Sequence, residues 1–327
     1  LNTSPTRVLV FVLGPTGSGK SSLAVAIARH FDGEIINCDS LQLYRGMDVG
    51  TAKTTPEERQ NIPHYLLDVL EPDQVFSAGE FARQAKSALA YIQARGKLPI
   101  IAGGTGFYVR ALTHGLFEGP ARDEELRSEL NERETAKPGF LHRVLRRYDP
   151  ASAARIHQND VQKAVRAVEV CLRSRQAMSS QFGYSEVPLT GFEFVKFGLS
   201  PSRDLLYERI NQRCEKMLHE GFVQEVRDLL AKGYGERTKA LESIGYSQIV
   251  DYLNAKCTEA EALESMQMQT RRYAKRQLTW FRREADVHWL QGFGDEASIQ
   301  QQAFEWINNH GHRPAFGTRP FESEHRP

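Results

Sequence analysis

Three features of this chain predict an α/β fold, with a parallel sheet flanked by helices and a separate helical insertion. Short apolar runs alternate with helix-period stretches over residues 7 to 120 and again from 192 to 290. The first run, Arg7 to Leu13, leads directly into Gly14-Pro15-Thr16-Gly17-Ser18-Gly19-Lys20-Ser21, which fills every fixed position of G-x-x-x-x-G-K-[ST]. From about Pro120 the strand-like runs give way to a polar, charge-dense stretch.

Taken in order, the loop is followed by Leu23, Ile27 and Phe31 at helical spacing. Glu34 to Cys38 reads as a second strand ending at Asp39-Ser40, and Tyr65 to Val69 as a third between Pro63 and Pro72. Ser77, with Glu80 three positions on, caps a helix running to Gly96. Leu98 to Ala102 is a further strand, closed by Gly103-Gly104-Thr105-Gly106. Residues 121 to 190 read as a helical insertion with breaks near Pro138-Gly139 and Pro150. Phe192 to Leu199 returns to strand, and helices follow at Ser202 to Gly221, Phe222 to Lys232 and Glu259 to Glu284. Val287 to Leu290 closes the core. The expected organisation is a core of residues 1–120 and 191–310, an insertion at 121–190 and a loose, proline-bearing tail at 311–327.

In a parallel sheet, ligands bind outside the carboxyl ends of the strands. The phosphate loop, Asp39-Ser40 and the Gly103 to Gly106 turn all fall on that edge. The loop's glycines let backbone N–H groups turn inward, the next helix adds its positive end, Lys20 supplies a charge and Ser21 a magnesium ligand. The chain is therefore read as binding a di- or polyphosphate. Asp39 is placed to hold magnesium through water or to take a proton from a nucleophile, against the plainer role of a turn cap. Thr105 brings a hydroxyl and open N–H groups between glycines, unless the segment is an ordinary turn. His64, a lone histidine before a strand, stays outside the catalytic set.

Composition narrows the partners. With 327 residues, 40% hydrophobic and 25% charged, the chain matches a globular protein of more than one compact unit. A net charge of +1 does not advertise a nucleic-acid binder as a whole, so such binding must come from local patches. Two patches exist. Arg271, Arg272, Lys275, Arg276, Arg282 and Arg283 lie on one predicted helix with no acid between Gln267 and Arg283, and residues 141 to 175 hold eight Arg or Lys against three acids. Cys38, Cys171, Cys214 and Cys257 stand far apart, which excludes a C-x-x-C site and fits a reduced compartment. No apolar run approaches a membrane span and the first residues lack a signal-peptide pattern, so the expectation is cytoplasmic, with no membrane partner. Three activities stay open on these grounds: an ATP-dependent kinase of a small acceptor, a transferase acting on RNA, and a regulatory NTPase. The basic helix favours the transferase.

The combined motifs resemble those of bacterial tRNA dimethylallyltransferases, also called tRNA isopentenyltransferases. The likeness runs from about Val8 to Leu290 through GPTGSGKS, the block Asp39 to Lys53, GGTGFY at 103 to 108, Asn159-Asp160, Ile244-Gly245-Tyr246 and Tyr273 to Arg282. It implies a P-loop NTPase-like core in which dimethylallyl diphosphate occupies the loop, and an acceptor that is N6 of the adenine 3′ of the anticodon. It further implies that Asp39 and Thr105 are catalytic. Gly14, Pro15, Thr16, Gly17, Ser18, Gly19, Lys20 and Ser21, with Mg²⁺, Arg209 and Arg213, would hold the diphosphate. Asp39, Ser40, Leu41, Gln42, Thr105, Arg127, Lys163, Ala164, Val165, Arg166 and Ala167 would meet the tRNA anticodon stem-loop, joined on physical grounds by Arg271, Arg272, Lys275, Arg276 and Arg282. Lys163 and Ser247 depart from the usual basic pattern, Lys163 standing where Arg is common. The chain lacks the zinc-finger cysteines and histidines of eukaryotic relatives, which implies the bacterial type, and the family habit implies a monomer.

Overall fold

The computed structural model describes residues 7–116, 119–181, 188–235 and 238–310. The expected loose tail at 311–327 lies outside them. The chain divides into two compact units, one of residues 1–112 with 190–327 and one of 113–189.

The first unit opens with β1 (Arg7–Leu13), α1 (Lys20–His30), β2 (Gly33–Asn37), α2 (Pro56–Arg59) and β3 (His64–Tyr65). It continues through α3 (Ala78–Ala94), β4 (Leu98–Gly103) and α4 (Gly106–His114). The second unit holds α5 (Glu124–Ala136), α6 (Phe140–Tyr148), α7 (Pro150–Arg155), α8 (Val161–Ser174) and α9 (Met178–Gln181). The chain then returns to the first unit with β5 (Phe192–Leu199), α10 (Arg203–His219), α11 (Phe222–Ala231), α12 (Tyr246–Leu253), α13 (Glu259–Phe281), β6 (Val287–Leu290) and α14 (Ala297–His310).

All six strands run parallel in the order β3-β2-β4-β1-β5-β6. The central strand β1 pairs Val10 with Ile100 on one side and with Val195 on the other. Near-continuous apolar strands are what a sheet covered on both faces requires. Val8, Val10 and Val12 pack with Leu23, Ala24 and Ile27 of α1 and with Ile299, Ala303 and Ile307 of α14. A second core, built from α10 to α13, centres on Phe222, Tyr246, Ile210 and Met266. The insertion has its own core of Leu130, Leu141, Leu145, Ala164, Val165 and Val168.

The structure differs from the sequence reading at β3, at the end of α13 and in the helices that reading did not name, α2, α4, α12 and α14. The strand expected at Tyr65 to Val69 stops at Tyr65, because Leu66 and Asp68 take left-handed backbone angles (φ 58° and 53°). Asn37 Nδ2 captures the Leu66 carbonyl at 2.8 Å and Lys53 captures the Asp68 carboxylate at 2.6 Å, which draws the chain out of the ladder. Helix α13 ends at Phe281 rather than Glu284. Helix α14 was not anticipated, although Ile299, Ala303 and Ile307 repeat every four residues.

Much of the block from Asp39 to Lys53 is structural. Buried Lys53 bonds Asp48, Asp68 and the Tyr44 carbonyl, each at 2.6 Å. Glu225 accepts from the N–H groups of Asp48, Val49 and Gly50 and from the Tyr246 hydroxyl. A side chain at Gly50 would lie 2.1 Å from the Phe222 ring, so only glycine fits there. Ile244-Gly245-Tyr246 thus serves the same scaffold.

Candidate active site

The loop after β1 bends through Gly17 (φ 79°) and Gly19 (φ 82°), left-handed angles that glycine adopts without strain. Ser18 is fully buried, and its hydroxyl donates to the Pro15 carbonyl at 2.8 Å. Its side chain is thus committed to shaping the loop, and any contribution of Ser18 to an anion is through its backbone. Lys20 Nζ also donates to Pro15 O, at 2.7 Å, and keeps two further N–H donors. Ser21 is exposed at the start of α1.

The carboxyl ends of β2 and β4 bring Asp39 and Thr105 to the same edge. Asn37 grips the Asp39 backbone from both sides: its Oδ1 accepts from Asp39 N and its Nδ2 donates to Asp39 O, both at 3.1 Å. Asp39 Oδ1 accepts from Leu41 N at 3.0 Å. Thr105 Oγ1 accepts from Ser40 N at 3.1 Å, and Thr105 N donates to Cys38 O. The two turns lie so close that a Cβ on Gly103 would sit 2.1 Å from the Cys38 carbonyl oxygen.

Sequence reasoning missed Gln277. This buried side chain accepts from Thr16 N at 2.8 Å and donates to Gly104 O at 2.9 Å, tying the phosphate loop to the Gly103 to Gly106 turn from α13. Cβ atoms on Gly104 and Gly106 would run into Gln277 and Trp280. The signal was a lone amide among cations on an otherwise apolar stripe, Ala274, Leu278 and Phe281.

A cleft of about 830 Å³ opens over this edge, lined among others by Thr16, Lys20, Ser21, Asp39, Arg209 and Arg213. Gln42 also lines it, its amide directed to the Thr51 and Ala52 carbonyls, while Leu41 packs partly against the second core. Burial pulls the Lys20 pKa down to about 8, a fall that the nearby Asp39 carboxylate opposes and Arg213 reinforces. Burial also lowers Arg213, against the pull of Asp39. Arg213 donates to Thr51 O at 3.3 Å, and Arg209 makes a fork with Asp295 at 2.8 and 2.9 Å. Desolvation raises Cys38, Tyr108 and Tyr273 above their ordinary values, so the buried thiol beside Asp39 is not a nucleophile at neutral pH.

No cluster of three or more metal-ligating His, Cys, Asp or Glu side chains exists among the described residues. The donor set nevertheless suits magnesium, which binds through one or two protein oxygens with the remainder from phosphate and water. Ser21 and Asp39 line one cleft and supply such oxygens.

On the basic helix, Arg272, Lys275, Arg276 and Arg282 are exposed, and Arg271 bonds Asn211 Oδ1 at 2.5 Å. In the insertion, most residues expected to meet tRNA have partners within their own unit. Ala164, Val165 and Ala167 fill that unit's core and offer no side chain to a ligand. Arg127 is forked onto the buried Glu169 at 2.9 and 2.7 Å, and Arg166 joins the same carboxylate. Their charges hold Glu169 down to about 2 against the opposing effect of its burial. Lys163 is exposed and pairs with Asp160. Alternation of small and basic residues along 163 to 167 reflects the two sides of an amphipathic helix.

Comparison with known proteins adds an independent line. The family model described as IPP transferase matches residues 42–284. The tRNA dimethylallyltransferase of Solibacter usitatus is 52% identical over 91% of this chain and 97% of its own length. That of Koribacter versatilis is 51% identical, covering 92% and 98%. Among solved structures, the full-length tRNA isopentenylpyrophosphate transferase of Bacillus halodurans aligns at a TM-score of 0.69 and 37% identity, covering 93% of this chain and 95% of that one. A eukaryotic dimethylallyltransferase acting on tRNA aligns at 0.74 and 27% identity, covering 94% and 77%.

Proposed function

The chain belongs to the IPP transferase family, and from that premise we propose a residue-level course for dimethylallyl transfer to tRNA in the cleft over β1, β2 and β4. The enzyme is a prenyltransferase that modifies tRNA, and the small-molecule kinase reading is set aside. The donor is dimethylallyl diphosphate, and the acceptor is N6 of the adenine 3′ of the anticodon.

One observation carries this reading: Asp39 and a three-cation wall of Lys20, Arg209 and Arg213 line the same cleft. N6 attacks the first carbon of the dimethylallyl group, forming the N–C bond as the bond from that carbon to the diphosphate oxygen breaks. Asp39 accepts the N6 proton. Asn37 fixes its backbone and Leu41 N–H orients one carboxylate oxygen, leaving the other to act as base. Lys20, Arg213 and the loop N–H groups meet the charge that grows on the departing diphosphate, where a positioned donor stabilises the transition state more than the ground state. Thr105 holds Ser40 and with it the turn that carries Asp39. Ser21 would hold a magnesium ion, which would supply further charge neutralisation for the leaving group. The exposed cations of α13 meet the RNA backbone. The enzyme works as a cytoplasmic monomer.

The test incubates the protein and Mg²⁺ with an unmodified anticodon stem-loop and either dimethylallyl diphosphate or ATP, then weighs the RNA. A dimethylallyl mass gain that requires the prenyl donor is expected. Phosphate transfer or hydrolysis with ATP alone would defeat the reading.

A further inference from the structure

The loop between β6 and α14, outside the segment matched by the family model, presses on the phosphate loop. Gly294 N donates to Ser18 O at 2.9 Å. A Cβ on Gly294 would lie 2.3 Å from Gly19 O, and one on Gly19 would lie 2.7 Å from Asp295 Oδ1. Gln300, from the first turns of α14, donates to Gly294 O at 3.0 Å and fixes the loop from behind. Asp295 therefore brings a carboxylate against the backbone of an anion-binding loop, an arrangement that repels a diphosphate unless the charge is engaged.

It is engaged by Arg209. Both terminal nitrogens of the guanidinium are forked onto the two carboxylate oxygens, and the guanidinium carbon lies 4.6 Å from the centre of the Phe293 ring. Arg209 lines the cleft while Asp295 does not. The fork uses one N–H from each terminal nitrogen and leaves the others and Nε–H for a ligand. Asp295 is itself held below the usual carboxylate range by Arg209, against the opposing effect of burial, so it stays ionised at neutral pH.

Resting on the reading of this cleft as a diphosphate site, we infer that Asp295 is a positioning residue: clamped with Phe293, it holds the Arg209 guanidinium in the wall beside Lys20 and Arg213. Removing the carboxylate frees a long side chain to wander into solvent, and ordering it again on ligand binding costs rotamer entropy. Asp295 acts on the ligand only through Arg209.

Calorimetric titration of the full-length protein with inorganic diphosphate tests this. D295A is expected to weaken binding about tenfold, as the loss of a charge-assisted fork implies. R209Q should weaken it at least as much, and the D295A/R209Q double variant should bind no worse than R209Q alone. D295E should restore part of the loss, and affinity for the anticodon stem-loop should stay unchanged in D295A. Equal affinity in D295A and the native protein would overturn the assignment. So would a D295A penalty that persists undiminished in the R209Q background, which would mark a general collapse of the phosphate loop. A native protein that binds diphosphate but transfers no dimethylallyl group would sink the functional reading and leave the Asp295 result standing.

Discussion

At the scale of single residues, the site separates charge from the groups that aim it. Asp39 is held by Asn37 and Leu41 N–H through bonds that an amide of the same shape can largely preserve. D39N should therefore keep stem-loop affinity while single-turnover dimethylallyl transfer falls by roughly 10²-fold or more; near-normal turnover would remove Asp39 from the role of base. Lys20 makes a pH-dependent prediction. Its pKa falls from 10.5 to about 8 in the fold, so at neutral pH the charged ammonium opposes folding, and that penalty fades as pH rises through this interval. Diphosphate needs the cation, so binding should weaken as pH climbs through about 8. In K20R the charge persists, and calorimetry across the same range should show only the ligand's own ionisation. An identical pH profile in both proteins would show that Lys20 does not titrate there.

At the scale of elements, α13 performs two tasks on different faces. Its buried side carries Gln277, which joins the phosphate loop to the Gly103 to Gly106 turn just beyond the end of the β1–β4 ladder. Q277A leaves Thr16 N and Gly104 O without this partner and should lower stability by about 1–3 kcal/mol in chemical denaturation. A wild-type midpoint would show that the bridge is dispensable. Its exposed side carries Arg272 and Arg276. Charge reversal at both should weaken stem-loop binding and flatten the slope of log K against log salt by about 1 to 2. An unaltered slope would make this face ordinary surface. The position of Gln277 was readable from helical period, yet its task was not, because its partners are 173 and 261 residues away in sequence. Similarly, the resemblance pointed to Arg127 and residues 163 to 167 without revealing that Glu169 pairs with Arg127 and Arg166, or that Ala164, Val165 and Ala167 pack in the insertion's core.

At the scale of the whole molecule, the cleft's lining comes entirely from the larger unit. Replacing residues 113–189 with a short linker should weaken stem-loop binding while inorganic diphosphate still binds, as read by calorimetry. Loss of both would show that the larger unit does not hold its site alone. None of the described helices is long and apolar enough to cross a membrane. The sequence by itself determined the α/β class, the phosphate loop, and the placing of Asp39 and Thr105 at strand ends, since those follow from local period, glycine chemistry and the geometry of parallel strands. Only the tertiary structure decided which charges face the cleft and which are taken by other residues. Arg209 with Asp295, Arg127 with Glu169 and Lys53 with Asp48 and Asp68 are pairings between distant or separately turned segments. A charge's availability depends on what packs beside it, and no local pattern carries that information.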